Sequence, residues 1–304
     1  MMRNHSYTFR QLKTFIEAGK SHSISKAANQ LFITQPAVSM QIKQLEDAFG
    51  VALIEPEGRS IKLTEAGHTF LQIAQKAIAH LHDLEVSMAS FANIEKGHIR
   101  LGVVSTTKYF VPILLMAFKK KHPDITFELQ IENRANLIAL MENHLIDIAI
   151  MGRPPNTKEY IAATFLTNPL GVICGPESPF ANKIKCEWQD LNHADFIVRE
   201  PGSGTRLLME QLFHENHIQT NHMMTISSNE TIKQMVSANM GLAFISLRTV
   251  TLELKQGALR LLQIDGLPYL AHWYIMHRTQ KRLSPSAQLF SEFMIQNSKI
   301  LLKE

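Results

Sequence analysis

Gln35, Ser39 and Lys43 stand four residues apart, and their side chains are of the kind that reads nucleic acid. An amide and a hydroxyl bond base edges, and an ammonium neutralises phosphate. Residues four apart share one face of a helix, so these three would form a polar stripe. The opposite face carries Val38, Ile42 and Leu45 at helical spacing, which calls for burial. Just upstream, Ala27, Ala28 and Leu31 form a second short apolar stripe, and the small Ala28 lets two helices cross closely. Thr34 is placed to cap the second helix, and Pro36 fits its first turn, where backbone N–H groups lack partners. The pattern predicts a helix-turn-helix whose second helix enters a DNA major groove. A helical hairpin in an ordinary core, with a solvated polar face, has the same spacing.

Two short apolar runs then flank Pro56-Glu57-Gly58 within residues 51–67, which reads as a β-hairpin, or wing. With this wing, the chain resembles the LysR-type transcriptional regulators. The matching residues are the helix-turn-helix, Gly58-Arg59 in the wing, and Leu63-Thr64-Glu65-Ala66-Gly67 opening the next helix. The family's wing usually reads Leu-Phe-x-Arg, where this chain has Leu53-Ile54-Glu55-Pro56. Proline replaces the basic residue there, which leaves Arg59 as the candidate charge. The resemblance implies a DNA-binding set of Thr34, Gln35, Pro36, Ser39, Met40, Lys43 and Arg59. Gln35, Pro36, Ser39 and Met40 would meet bases, with Lys43 and Arg59 nearer phosphates.

At 304 residues the chain has room for two or three domains, and 45% hydrophobic with 19% charged residues is ordinary for a globular protein. A net charge of +4 does not by itself argue for nucleic acid. The distribution says more: residues 1–45 hold six Lys/Arg and a single acid, Glu17, which suits a phosphate backbone. Cys174 and Cys186 are the two cysteines; they lack C-x-x-C spacing and no metal set surrounds them, so reduced thiols and no metal are expected. No signal-peptide core and no membrane-length apolar run is present, so a cytoplasmic protein without a membrane partner is expected.

Phe70, Ala74, Ala77, Leu81, Leu84, Met88 and Phe91 recur at alternating spacings of four and three. This heptad seam predicts one long helix from about Glu65 to Phe91. An amphipathic helix lying on its own domain would show the same stripe. The seam's length and its place after a module that works in pairs favour a homodimer, and the family resemblance implies a homotetramer.

From residue 97 apolar runs alternate with helical patterns, among them Ile99–Val104, Ile125–Ile131, Ile146–Met151, Asp195–Val198 and Leu242–Ser246. That order predicts an α/β fold with a mainly parallel sheet. The resemblance implies more: a winged helix-turn-helix domain (1–63), a linker and dimerisation helix (64–92), and a regulatory domain like a periplasmic binding protein (97–304). Its lobe I would span 97–167 and 267–304, and its lobe II 168–266, with a small-molecule effector between them.

Ligands of such sheets bind where strands end and helices begin. Three turns fit: Ser105-Thr106-Thr107, Arg199 to Arg206 with Ser203, Gly204 and Thr205, and Ser227 to Thr231 with Asn229 and Glu230. Glycines admit close backbone approach, and hydroxyls with Arg206 suit an anion. Ser and Thr also cap helices for local reasons. Ile150 to Pro155, Arg199 to Arg206 and Ser228 to Lys233, with Thr34 to Glu46, resemble the CbbR-type branch of the family, which regulates carbon-fixation operons. Phosphorylated or carboxylated metabolites are the effectors this implies, and Lys108, Arg153 and Arg206 would suit them. No cofactor is expected.

The competing class is a small-molecule-binding protein or enzyme with an incidental helical hairpin. Ser203 lies in Pro-Gly-Ser-Gly-Thr rather than G-x-S-x-G, and no phosphate loop, dinucleotide fingerprint or H-E-x-x-H is present. No nucleophile–base set can be assembled, so a non-enzyme is expected.

Overall fold

The computed structural model describes residues 7–58, 60–92 and 96–303 and divides into two compact units, the first running to Met88 and including Asn143–Leu145, the second holding Ala89–Glu142 and the residues from Ile146 onward. Arg59 lies outside the described residues, as do the side chain of Phe91 and several others late in the long helix.

The first unit opens with α1 (Phe9–Ser21), a helix absent from the sequence reading. Its signal was present: Thr8 and Gln11 form a reciprocal capping box, and Leu12, Phe15 and Ile16 are buried at helical spacing. Next come α2 (Ile24–Leu31) and α3 (Gln35–Phe49). Ala27, Ala28, Val38, Ile42 and Leu45 are all buried in one core with α1, as their spacing requires. Thr14 Oγ1 donates to Gln41 Oε1 at 2.8 Å inside this core, fixing α1 against α3.

β1 (Ile54–Glu57) and β2 (Ser60–Leu63) form the wing, with Glu57 opposite Ser60. Pro56 pairs with Ile61 and so lies within the strand rather than in the turn. α4 (Glu65–Ala92) follows. Gly67 lies in its first turn because a Cβ there would stand 2.0 Å from the Leu53 carbonyl oxygen. This close approach explains why the sequence opening the helix ends in glycine.

The second unit holds β3 (Gly97–Val104), α5 (Val111–Lys121), β4 (Ile125–Glu132), α6 (Arg134–Glu142), β5 (Ile148–Met151) and β6 (Tyr160–Cys174). It continues with β7 (Asp195–Arg199), α7 (Gly204–Glu215), β8 (Asn221–Ile226), α8 (Asn229–Ser237), β9 (Ala243–Ser246), α9 (Thr251–Gln256), β10 (Arg260–Leu261), β11 (Tyr269–Arg278) and α10 (Pro285–Leu301). β7 and β8 pair in parallel as a separate two-stranded sheet. The seven-stranded sheet is parallel where β3 meets β4 and β5. It is antiparallel where β11 meets β5 and β6, and where β6 meets β9 and β10. The expectation of a mainly parallel sheet fails at these two long strands because the chain runs through them in opposite directions between two cores. Phe165 and Leu166 of β6 pack in a core with β3, α5 and α10. Leu170, Val172 and Cys174, further along the same strand, pack in a core with β7 and α7. A single strand that changes cores at Asn168-Pro169 does not keep one periodicity along its length.

Asp147, just before β5, braces the first of these cores. Its carboxylate takes Arg100 Nη2 at 2.6 Å and Lys281 Nζ at 2.7 Å, and accepts the Arg100 backbone N–H at 2.7 Å. Burial would raise its pKa, but the two cations outweigh that and hold it below the usual carboxylate value.

Candidate functional sites: a helix face and a basic cavity

Thr34 caps α3 by accepting the Ala37 N–H, and Pro36 sits in its first turn. With these two fixed, Thr34, Gln35, Pro36, Ser39, Met40 and Lys43 all lie exposed. Gln35 Nε2 donates to Ser25 Oγ at 3.3 Å, which orients an otherwise free amide at the start of the helix. The polar stripe is thus unused by the fold, while its opposite face is core.

The heptad reading of α4 needs correction in its first half. Phe70 sets its ring against Phe15 and Phe49, both at 5.1 Å between centroids, and Ala74 is buried in the same core. These two residues serve their own domain, the outcome expected of an amphipathic helix. Ala77 and Leu81 are half-buried, and Leu84 and Met88 are exposed. Beside them a mostly apolar groove of about 630 Å³ runs along α4 between Tyr7, Phe49, Val51 and Ile73.

In the second unit two recesses lie side by side. The first, about 430 Å³, is lined by Ser105, Thr106, Arg153, Ser203, Gly204 and Thr205, all expected from the sequence. Asn133, Arg134, Asn168, Arg199 and His272 also line it, and no carboxylate does. The N-termini of α6 and α7 both border it, and the first-turn amides of α6 are occupied, the Asn136 N–H by Asn133 Oδ1 at 2.9 Å. Gly202 precedes α7 with φ +85°, and its carbonyl accepts the Ala135 N–H of α6 at 3.2 Å. A Cβ at Gly202 would press on Ala135 at 3.0 Å, so the two helix starts meet only through glycine. Ser203, 3% exposed, makes no side-chain capping bond and leaves the first-turn amides of α7 open. Arg134 lies against this turn, and its Nε donates to the Arg153 carbonyl at 2.6 Å. Burial, then the neighbouring Arg153 charge, lowers the pKa of Arg134. Asn168 accepts Ser246 Oγ at 2.6 Å, so the end it keeps for a ligand is its NH₂ donor. Donors and positive charge therefore converge on a space without acids, which is chemistry for an anion.

The second recess, about 600 Å³, shares Ser105 and Asn133 with the first, but its charged lining is Lys108 against Glu132, Glu200 and Glu230. Asn229 and Glu230 fall here rather than in the basic cavity. Asn229 Oδ1 accepts Arg199 Nη1 at 2.8 Å, and Glu230 accepts Tyr109 Oη and Lys233 Nζ. Two further expected ligand residues are used by the fold. Thr107 is buried and donates to the Val104 carbonyl at 2.8 Å, and Arg206 is held by Glu210 and the Arg199 carbonyl. Arg199 stays buried among Glu200, Asn229 and Ser105.

Arg134 and Asn168 are the residues the sequence reading missed. Glu132-Asn133-Arg134 is itself a strand-to-helix turn, so the rule applied to the other turns would have found Arg134. Asn168, in mid-strand, leaves no such signal. Among the described residues no group of three or more His, Cys, Asp or Glu could hold a metal, and no helix is long and apolar enough to cross a membrane.

Residues 9–68 match the bacterial regulatory helix-turn-helix family of LysR type, and residues 92–299 match the LysR substrate binding domain. The HTH-type transcriptional activator CmpR of Synechocystis sp. is 40% identical over 287 residues, 94% of either chain. The RuBisCO operon transcriptional regulator of Allochromatium vinosum is 37% identical over 288 residues, 95% of either chain. The regulatory domain of Synechocystis CcmR, solved in complex with 2-PG, superposes with a TM-score of 0.64 at 35% identity, covering 66% of this chain and 97% of that one. Two family matches that together span nearly the whole chain, on a winged helix-turn-helix followed by a two-core α/β unit, lead to one conclusion: the chain belongs to the LysR family of bacterial transcriptional regulators.

Proposed function

We propose that this protein regulates transcription by binding a specific DNA sequence through α3, and that a small organic anion in the basic cavity tunes that binding. The carrying observation is the cavity itself: Arg134 and Arg153, the open first turn of α7 and no carboxylate among the described lining residues. Thr106, Ser203 and Thr205 would add hydroxyls, and Asn168 an amide donor. A phosphate or carboxylate satisfies these donors, and an uncharged ligand would leave them unpaired. The full-length likeness to a RuBisCO operon regulator supports carbon-fixation genes as the target, and the likeness to a domain solved with 2-PG supports a phosphorylated acid as effector.

On this reading the protein works in the cytoplasm, without a cofactor, and as a homodimer that pairs into a tetramer. The dimer contact would use the apolar groove on the first unit with Ile73, Leu84 and Met88 rather than the full heptad seam. On the same reading the domain limits would be 1–63, 64–92 and 97–304, the last in two lobes of 97–167 with 267–304 and of 168–266. Selection from random DNA, followed by calorimetric titration with 2-phosphoglycolate, phosphorylated sugars and nucleotides, tests both halves. A preferred DNA site and heat with at least one anion are expected. Salt-sensitive binding without a preferred site, or no heat with any of them, would overturn the corresponding half.

A further inference from the structure

Besides the shared strands β6 and β11, polar contacts join the two cores of the second unit. Ala135 N–H donates to the Gly202 carbonyl, Arg199 Nη2 to Ser105 Oγ at 3.3 Å, and Tyr109 Oη to Glu230. The third is the most elaborate. Tyr109 ends the turn after β3, and Glu230 lies in the first turn of α8, 121 residues away. The second oxygen of Glu230 takes Lys233 Nζ at 2.9 Å, and that ammonium also sits 5.1 Å from the centre of the Tyr109 ring. Lys233 is itself fixed: its side chain is 5% exposed and bonded to Glu253 at 2.8 Å and to the Thr249 carbonyl at 3.1 Å. One buried cation thus anchors a carboxylate that grips a phenol from the other core. Neither Tyr109, Glu230 nor Lys233 lines the basic cavity.

We propose that Tyr109, Glu230 and Lys233 are positioning residues that clasp the two cores at the angle in which the N-termini of α6 and α7 face each other, so that anion affinity depends on them without contact. This rests on the anion reading of the basic cavity. The cavity is complete only at that angle, because Arg134 and Arg153 come from one core while Ser203, Gly204 and Thr205 come from the other. Apparent affinity falls with the fraction of molecules holding the competent angle. A clasp that raises this fraction tightens binding, and its loss costs affinity even though no ligand contact is removed.

The test uses the full-length chain, with spin labels on Lys158→Cys and Ile184→Cys; both positions are exposed, and Cys174 and Cys186 are buried. Distances between the labels are compared without ligand in the parent and in Tyr109→Phe and Glu230→Gln. A broader distribution is expected in both variants, and unchanged distributions would overturn the clasp. Titration with 2-phosphoglycolate then reads the consequence. Each variant should weaken binding about fivefold, with the double variant no weaker than the singles. Losses that multiply in the double variant would mean that each residue acts alone, against a clasp. If the parent does not bind 2-phosphoglycolate, the effector reading fails for this probe, while the distance comparison still decides the clasp.

Discussion

The helix face of α3 and the basic cavity are both built from polar side chains, yet they relate to the fold in opposite ways. On α3 the stripe Gln35, Ser39, Lys43 is exposed, and stability comes from Val38, Ile42 and Leu45 on the other side. In the cavity Ser203, Asn168, Thr106 and Arg199 are buried, and Asn168 and Arg199 bond to neighbouring strands and helices. A surface site leaves recognition separable from folding. A buried site makes the same groups answer for both.

The largest expected effect lies at the opposite end of β5 from the cavity. Asp147→Asn removes the carboxylate facing Arg100 and Lys281 and should cost about 3–5 kcal/mol in the second unit, as breaking a buried pair does. Because the folded pKa of Asp147 is depressed, its contribution is full above the ordinary value of 3.8 and disappears as pH falls below it, through the folded value. Denaturation of the parent and variant between pH 7 and pH 3 should therefore show their difference shrinking at the acid end. A constant difference would mean that the pair does not carry the effect.

Arg134→Ala comes next. It should weaken 2-phosphoglycolate binding by about 1.5–3 kcal/mol, the range for a charged hydrogen bond, with a smaller change in thermal stability. Gln35→Ala should cost about 1–3 kcal/mol of discrimination at one base pair. It should leave the melting temperature unchanged, since the side chain is exposed and its bond to Ser25 is long. Lys43→Ala is the smallest: binding to all sequences weakens, and the slope of log affinity against log salt flattens by roughly one unit. A melting shift in either α3 variant as large as that of Arg134→Ala would break the contrast.

The same difference governs what could be read in advance. The helix-turn-helix was legible because its core and its polar face alternate within fifteen residues, and local periodicity records both. α1 went unread although Thr8, Gln11, Leu12 and Phe15 carried the signal. The cavity was legible only in parts. Ser203, Gly204 and Thr205 announce a helix start next to glycine, but whether Arg206 turns to the ligand or to Glu210 depends on a neighbour four residues on. Glu230 lies at a turn of the same kind, yet Tyr109 and Lys233 claim it from other elements. Phe70 and Ala74 fit a dimer seam by spacing, yet Phe70 packs on Phe15 and Phe49 and Ala74 is buried in its own domain's core. Periodicity says that a face is buried, not which surface buries it.

The central claim is that anion occupancy of the cavity changes how the paired α3 helices engage DNA. Footprinting of the full-length protein on its selected site, with and without saturating 2-phosphoglycolate, measures this directly. The protected length should change with the anion in the parent, and should stay at its ligand-free value in Arg134→Ala at the same anion concentration. An identical footprint in the parent with and without an anion shown to bind would contradict the account.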